Sequence, residues 1–212
     1  MAEPSIAMGA TIAVLVAGAT GLAVRQRGVR RAILARDAVW RRAHPPGPDG
    51  IVDGAGAIAL DAPGSRACLL LHGFGDTPQS LARLAQALHA GGWTVRVPLL
   101  PGHGRTLAAF GRTNARDWEV AARQAYTALV ATHATVALVG LSMGGALAAC
   151  IAADGRAPSA LVLLAPYLRV SRKARLLTAA WPAWSLARPW VPGVPEAAIH
   201  DPEARRASLG YG

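Results

Sequence analysis

The stretch Gly140-Leu141-Ser142-Met143-Gly144 joins an apolar, strand-like run at residues 135–139 to an Ala-rich, helix-like run at residues 145–153. A Gly-x-Ser-x-Gly sequence between a strand and a helix predicts a sharp turn that lifts the serine hydroxyl above the edge of the sheet. Gly140 and Gly144 would let the strand and the helix approach without a clash at Cβ. The N–H groups at the start of the helix would face any oxyanion formed there. The stretch therefore predicts that Ser142 is a nucleophile.

Strand-like and helix-like segments alternate on both sides of this turn. Helical patterns begin after Thr77-Pro78 and near Thr113-Asn114, where a cap residue precedes an apolar stripe. Alternation of this kind predicts a mainly parallel sheet with flanking helices, which is the α/β class. The predicted strands lie at residues 57–60, 67–71, 93–97, 135–139 and 160–164.

Three motifs occur in a fixed order along the chain, and the turn at Ser142 belongs to the last of them. They are His-Gly-Phe-Gly at residues 72–75, Pro-Gly-His-Gly at 101–104, and Gly-Leu-Ser-Met-Gly-Gly at 140–145, followed by an apolar strand that ends at Ala165-Pro166. Over residues 57–205 the chain resembles the α/β-hydrolase superfamily, and within it the bacterial carboxylesterase and monoacylglycerol lipase group. The resemblance implies the α/β-hydrolase fold. It also implies hydrolysis of a small-molecule or lipid-like ester through an acyl-enzyme on Ser142.

The resemblance also implies an oxyanion hole formed by the main-chain N–H groups of Phe74 and Met143. Gly73 and Gly75 would let the loop that holds Phe74 bring its N–H groups close to the substrate carbonyl. His72 and His103 lie inside turn motifs, where an imidazole usually bonds local backbone. The sequence therefore favours a structural role for both histidines over that of catalytic base.

The chain departs from the family after the nucleophile. In this fold the triad acid and the histidine follow the serine, each after a later strand, but no strand ending in Asp and no late Gly-His turn follows Ala165. We expect that neither triad partner is in this chain, that the sheet lacks its last strands, and that its edge is exposed and apolar. The 212 residues alone would then be nearly inactive. A fragment of a longer gene, a truncated pseudogene and a membrane-attached binding protein that keeps the pocket all fit this expectation.

Residues 166–205 have a different composition from the core. Trp181, Trp184 and Trp190 alternate with prolines there, which is typical of an apolar lid over an acyl pocket. A membrane-facing or loosely packed excursion is the alternative interpretation. Residues 206–212 would be the truncated end.

Residues 5–24 carry no charge, and five arginines follow by residue 36. Twenty uncharged residues form about 30 Å of helix, which matches the thickness of a bilayer core. The sequence therefore predicts an N-terminal transmembrane helix and basic flank at residues 1–42. The positive-inside rule places the catalytic domain on the cytoplasmic side of the inner membrane. A soluble cytoplasmic domain that begins with a weakly apolar segment is the alternative. A Pro/Gly linker at residues 43–56 would precede the core at 57–165.

Composition sets limits on other functions. The formal charge is +10, and 21 of the 22 basic residues are arginine, yet no basic stripe interleaved with aromatic residues indicates a nucleic-acid partner. No metal-ligand spacing and no phosphate-binding glycine loop occurs, so the sequence predicts neither a metal site nor a cofactor. Cys68 and Cys150 both lie in apolar runs, which predicts two buried thiols.

Overall fold

The computed structural model describes residues 4–155 and 157–184. These residues include a five-stranded sheet with the order β1-β3-β2-β4-β5, in which β1 is antiparallel to β3 and all other neighbours are parallel. The predicted mainly parallel sheet is confirmed, and each predicted strand begins and ends within two residues of the observed one. The strands are β1 (Ile58–Leu60), β2 (Arg66–Leu71), β3 (Thr94–Val97), β4 (Thr135–Leu141) and β5 (Ala160–Leu164).

The first helix, α1 (Pro4–Ala43), is 40 residues long and contains both the apolar run and the arginines that follow it. In the part of the chain that the structure describes, no helix combines the length and the apolarity needed to cross a membrane. The prediction of an N-terminal transmembrane helix is therefore wrong. More than half of residues 5–24 are Ala, Gly or Thr, and such small side chains gain little free energy on transfer from water to hydrocarbon.

Helices connect the parallel strands. A short 3-10 helix (Pro78–Leu81) and α2 (Ala82–Ala90) follow β2; α3 (Leu107–Phe110) and α4 (Ala115–Val130) follow β3; and α5 (Met143–Ala153) follows β4. Asn114 caps α4 through a reciprocal capping box with Asp117, as the sequence predicts. The predicted cap at Thr77 makes no side-chain hydrogen bond to the helix.

The two central strands, β2 and β4, are covered on both faces. Successive side chains of a strand point to opposite faces, so an apolar run supplies two separate cores. One core lies under α4 and α5, and the other lies under α2. The first contains Leu69, Leu71, Leu138, Trp118, Leu129 and Leu147, and the second contains Cys68, Leu70, Val95, Val97, Val139 and Leu81.

The two cysteines differ in exposure. Cys68 is buried in the sheet, and this burial raises the pKa of its thiol to about 12. Cys150 lies on α5 and is exposed, so the prediction of two buried thiols holds for Cys68 and is wrong for Cys150. The reason is helical periodicity, because the buried stripe of α5 runs through Leu147, Ala148 and Ile151 and turns position 150 outward.

Among the strands in the described part of the chain, β5 forms an edge of the sheet. Its only neighbour among the strands in the described part of the chain is β4. Leu161 and Val162 are 40% and 44% exposed although both are large and apolar. The predicted exposed, apolar edge is therefore present at β5.

The described residues form two compact units, residues 41–169 with the sheet, and residues 4–40 together with 170–184. The second unit contains α6 (Arg172–Ala179) and α7 (Trp181–Trp184). Both helices belong to the predicted cap. The rings of Trp181 and Trp184 meet edge to face with centroids 4.4 Å apart. Residues 185–212, which include Trp190 and the predicted truncated end, lie outside the described part, and the role of the cap as a lid stays a prediction.

Candidate active site

Ser142 lies at the turn between β4 and α5 in a strained backbone conformation, with φ 52° and ψ −110°. A serine rarely adopts positive φ, since its Cβ then crowds the backbone at a cost of about 1–3 kcal/mol. The strain is sustained because the strand before the serine and the helix after it are both packed in the core. The turn has the conformation that the Gly-x-Ser-x-Gly sequence predicts.

Gly140 and Gly144, on either side of the serine, each lie directly against another stretch of backbone. A Cβ added to Gly140 would lie 2.3 Å from the carbonyl oxygen of Gly144, and one added to Gly144 would lie 2.1 Å from the carbonyl oxygen of Leu71. Both distances are far inside van der Waals contact. No side chain, not even a methyl group, fits at either position without moving the backbone.

The segment after β5 supports the turn from the other side. The N–H of Ser142 donates to the carbonyl oxygen of Leu164, and the N–H of Tyr167 donates to the carbonyl oxygen of Ser142, at 2.9 and 3.1 Å. Ala165, which lies between Leu164 and Tyr167 in the chain, also has positive φ, at 44°. A Cβ on Gly145 would lie 2.9 Å from the Cβ of Pro166. This support was not predicted from the sequence, although the second glycine of Gly144-Gly145 was a signal for it.

The loop that follows β2 lies beside the nucleophile. Leu71 pairs with Gly140 in the sheet, so both chains leave the sheet at the same edge. A Cβ on Gly73 would lie 3.6 Å from the Cβ of Ser142, an ordinary contact distance. Gly75 has φ 68°, which favours glycine. The structure thus brings Gly73, Phe74 and Gly75 next to Ser142.

Met143 is the first residue of α5. An N–H in the first turn of a helix has no partner within the helix, and the positive end of the helix dipole lies at this point. The amides of Phe74 and Met143 therefore belong to the two segments that border Ser142. This arrangement suits the stabilisation of an oxyanion on a carbonyl attacked by Ser142.

His72 is fully buried and joins two loops. The N–H of Leu100 donates to its Nε2 at 3.1 Å, so Nδ1 must carry the proton and donate to the carbonyl oxygen of Gly73 at 2.9 Å. Burial lowers the pKa of His72 to about 4, outweighing the bond to Gly73. Since both ring nitrogens are occupied, His72 is a structural link and is not placed as a base.

His103 is also fully buried. Its Nδ1 lies 3.1 Å from the carbonyl oxygen of Pro101, to which it donates, whereas Nε2 has no partner among the described residues. Burial lowers the pKa of this imidazole. Its ring contacts the rings of His72, Phe110 and Trp118, with centroids 4.8, 4.8 and 5.5 Å away. The surroundings of His103 are those of a core residue.

In residues 4–155 and 157–184 the hydroxyl of Ser142 has no hydrogen-bonded base. Within these ranges no hydrogen bond joins the Ser142 hydroxyl to a histidine or a carboxylate, and no group of three metal-ligating side chains occurs. The arrangement holds a candidate nucleophile and two candidate oxyanion donors. Asp76 accepts a hydrogen bond from the N–H of Thr77 at 2.8 Å, as an Asp in a turn commonly does.

Comparisons with known proteins agree with this geometry. The thermostable monoacylglycerol lipase of Bacillus sp. (strain H-257) is 42% identical over 79 residues, which are 37% of this chain and 32% of that protein. A structure described as LipS and LipT, two metagenome-derived lipolytic enzymes, is 28% identical with a TM-score of 0.56, covering 69% of this chain and 56% of that one.

A third relative shares the fold at lower identity. The monoacylglycerol lipase of Paleococcus ferrophilus is 20% identical with a TM-score of 0.57, over 71% of this chain and 60% of that one. The chain thus spans about a third of the curated relative and somewhat over half of each solved structure. The family model described as "Serine aminopeptidase, S33" matches residues 62–208. The chain therefore belongs to this family of α/β hydrolases, whose relatives named here are lipases and esterases.

Proposed function

We propose that the chain is a serine ester hydrolase that acts on carboxylic esters through an acyl-enzyme on Ser142. The observation that carries this proposal is the strained turn at Ser142, with φ 52°, beside the glycine loop that holds Phe74. A buried structural serine has no need of such strain, whereas a nucleophile must stand clear of the sheet and close to oxyanion donors.

The proposed reaction has two halves. In the first, Ser142 Oγ attacks the ester carbonyl carbon as its proton passes to a base, and the N–H groups of Phe74 and Met143 hold the oxyanion. The tetrahedral intermediate collapses, and the alcohol leaves with the proton that the base returns. In the second, water attacks the acyl-enzyme in the same way and releases the carboxylic acid. The base is not supplied by His72 or His103, because the first is bonded at both nitrogens and the second faces a ring cluster.

We infer the substrate class from the similar proteins. The Bacillus protein is a monoacylglycerol lipase, and the structure at 28% identity is described as lipolytic. We therefore propose a monoacylglycerol or another small ester with an apolar acyl group. The family description also names aminopeptidases, so an amino-acid p-nitroanilide is the substrate against which p-nitrophenyl esters are to be compared.

A fluorophosphonate probe tests the nucleophile directly. Ser142 Oγ would displace fluoride from phosphorus and form a stable adduct, which intact mass spectrometry detects. Ser142→Ala should abolish the adduct, while Ser159→Ala, at another loop serine, should leave it unchanged. Without the base and acid, triad enzymes keep only about 10³–10⁴-fold of rate over water, so labelling is followed for hours. A folded wild-type chain that is modified no faster than the same chain unfolded in urea, or an adduct that survives in Ser142→Ala, would contradict the proposal.

A further inference from the structure

Phe74 is 62% exposed, and yet its ring is held in place. Its centroid lies 5.1 Å from the ring of Phe110 and 5.6 Å from the ring of Trp118, both in edge-to-face contact. The ring of His103 lies 6.5 Å away in the same relation. These separations are those of favourable aromatic pairs. One side of the Phe74 ring is therefore fixed against other rings while most of its surface stays accessible.

The ring cluster under Phe74 is itself rigid. Phe110 and Trp118 stack with an interplanar angle of 19°, and the Trp118 indole N–H donates to the carbonyl oxygen of Pro101 at 3.0 Å. Trp118 and His103 are buried. The cluster joins the loop after β2, the loop after β3, and the helices α3 and α4. An exposed phenylalanine on this support loses little conformational entropy when a ligand covers it, since its rotamer is already set.

The position of Phe74 relates this exposed ring to the nucleophile. The residue before it, Gly73, lies in contact range of Ser142, with an added Cβ 3.6 Å from the serine Cβ. No side chain is present at Gly73 to separate the two. An apolar group attached to a carbonyl at Ser142 would therefore lie beside the loop that holds Phe74.

We propose that the side chain of Phe74 is a specificity-determining contact, which binds the apolar acyl group of the ester while the N–H of the same residue binds the oxyanion. This inference rests on the function proposed above and deepens it. Because the exposed ring of Phe74 is apolar, it would contact the apolar acyl group of the ester. The supporting rings are apolar, and the one unpartnered polar atom among them, Nε2 of His103, is buried and out of reach of a ligand. Esters with extended apolar acyl chains are favoured over acetates, because each covered methylene adds favourable burial.

Two fluorophosphonates that differ only in the length of the alkyl chain distinguish two effects of Phe74. One is binding of the apolar chain, and the other is an equal effect on the labelling by both probes. We would measure the rate of Ser142 modification by a decyl and by an ethyl fluorophosphonate on the full chain. The wild type should react faster with the decyl probe. Phe74→Ala should lower the decyl-to-ethyl rate ratio about tenfold, the size expected for losing the contact of about two methylenes with the ring. Phe74→Leu, which keeps an apolar side chain, should restore most of the ratio.

A second variant and a measurement of folding serve as controls for Phe74→Ala. Val120→Ala removes another exposed apolar side chain, on α4, and should leave the ratio unchanged. Thermal melts establish that each variant is folded. An equal loss of rate with both probes in Phe74→Ala would overturn the inference, because the residue would then act only on the loop. A folded wild type that is modified no faster than the chain unfolded in urea would instead refute the proposed function and this inference with it. Normal ethyl labelling with an unchanged ratio would refute the inference alone.

Discussion

The N–H of Ser142 donates a hydrogen bond to the carbonyl oxygen of Leu164 at 2.9 Å. Leu164 is the last residue of β5, the edge strand with exposed apolar side chains. The serine is therefore positioned by its own strand and also by the end of the neighbouring strand. Its strained φ depends on contacts from β4, α5 and β5 together.

Gly144→Ala should destabilise the fold strongly. The new methyl group would lie 2.1 Å from the carbonyl oxygen of Leu71, and the clash is between two backbones that are both in the core. We expect a loss of about 3 kcal/mol or more in the free energy of unfolding, measured by urea denaturation. Gly56→Ala is the control, because no atom lies within 4 Å of its added Cβ. Equal urea midpoints for Gly144→Ala and Gly56→Ala would show that the turn has room for a side chain at Gly144.

Gly73 should respond to the size of the substituted side chain. An added Cβ is at an ordinary 3.6 Å from the Cβ of Ser142, so Gly73→Ala should cost less than about 1 kcal/mol. Gly73→Leu should fold as well but occupy the space above the serine, and slow fluorophosphonate labelling at least about tenfold. Comparing labelling rates with melting temperatures separates obstruction of Ser142 from loss of stability. Labelling of the Leu variant at the wild-type rate would show that this space is not the approach to Ser142.

The buried His72 should make stability dependent on pH. Its pKa is lowered from 6.5 to about 4, so between these values the unfolded chain binds a proton that the folded chain excludes. Stability should therefore be complete above about pH 6.5 and decline as the pH falls toward 4, by on the order of 3 kcal/mol from this group. His103, whose pKa is also lowered, acts in the same direction.

Denaturation of His72→Gln at a series of pH values tests this dependence. Glutamine can still accept from the N–H of Leu100 but does not titrate, so the variant should show a shallower slope between pH 4 and 6.5. His133→Gln, at a helix-end histidine outside this link, controls for loss of an imidazole. A slope as steep as that of the wild type would exclude His72 as the source.

The exposed edge at β5 should promote self-association. Leu161 and Val162 present apolar surface on a strand with one neighbour in the described part of the chain, and such edges pair with other strands. Leu161→Lys should reduce aggregation, measured by light scattering at increasing protein concentration. Val120→Lys places the same charge on an exposed apolar site of α4. If both lysines had the same effect, net charge and not the edge would be responsible.

Local patterns were sufficient to predict the sheet and the turn at Ser142. The strands β2 and β4 read as uninterrupted apolar runs because both faces are covered, and the glycines of the turn are demanded by backbone contacts that recur in this motif. The support from Leu164 and Tyr167 was not predictable in the same way, because it depends on main-chain hydrogen bonds between residues more than 20 positions apart. The aromatic cluster was missed for a similar reason, since Phe74, His103 and Trp118 come from three separate segments. At α1 the uncharged length of residues 5–24 favoured a transmembrane helix over the alternative of a weakly apolar segment, and the structure contradicts that choice.

The contrast between the two cysteines has a practical consequence. Thiolate is the reactive form of cysteine, and burial keeps Cys68 protonated and shielded, while Cys150 is exposed on α5. Maleimide dyes should therefore attach at a single place without mutagenesis. That place is eight residues beyond the serine on the adjoining helix, about 12 Å along its axis, near enough for a fluorophore to report when the hydroxyl has been acylated.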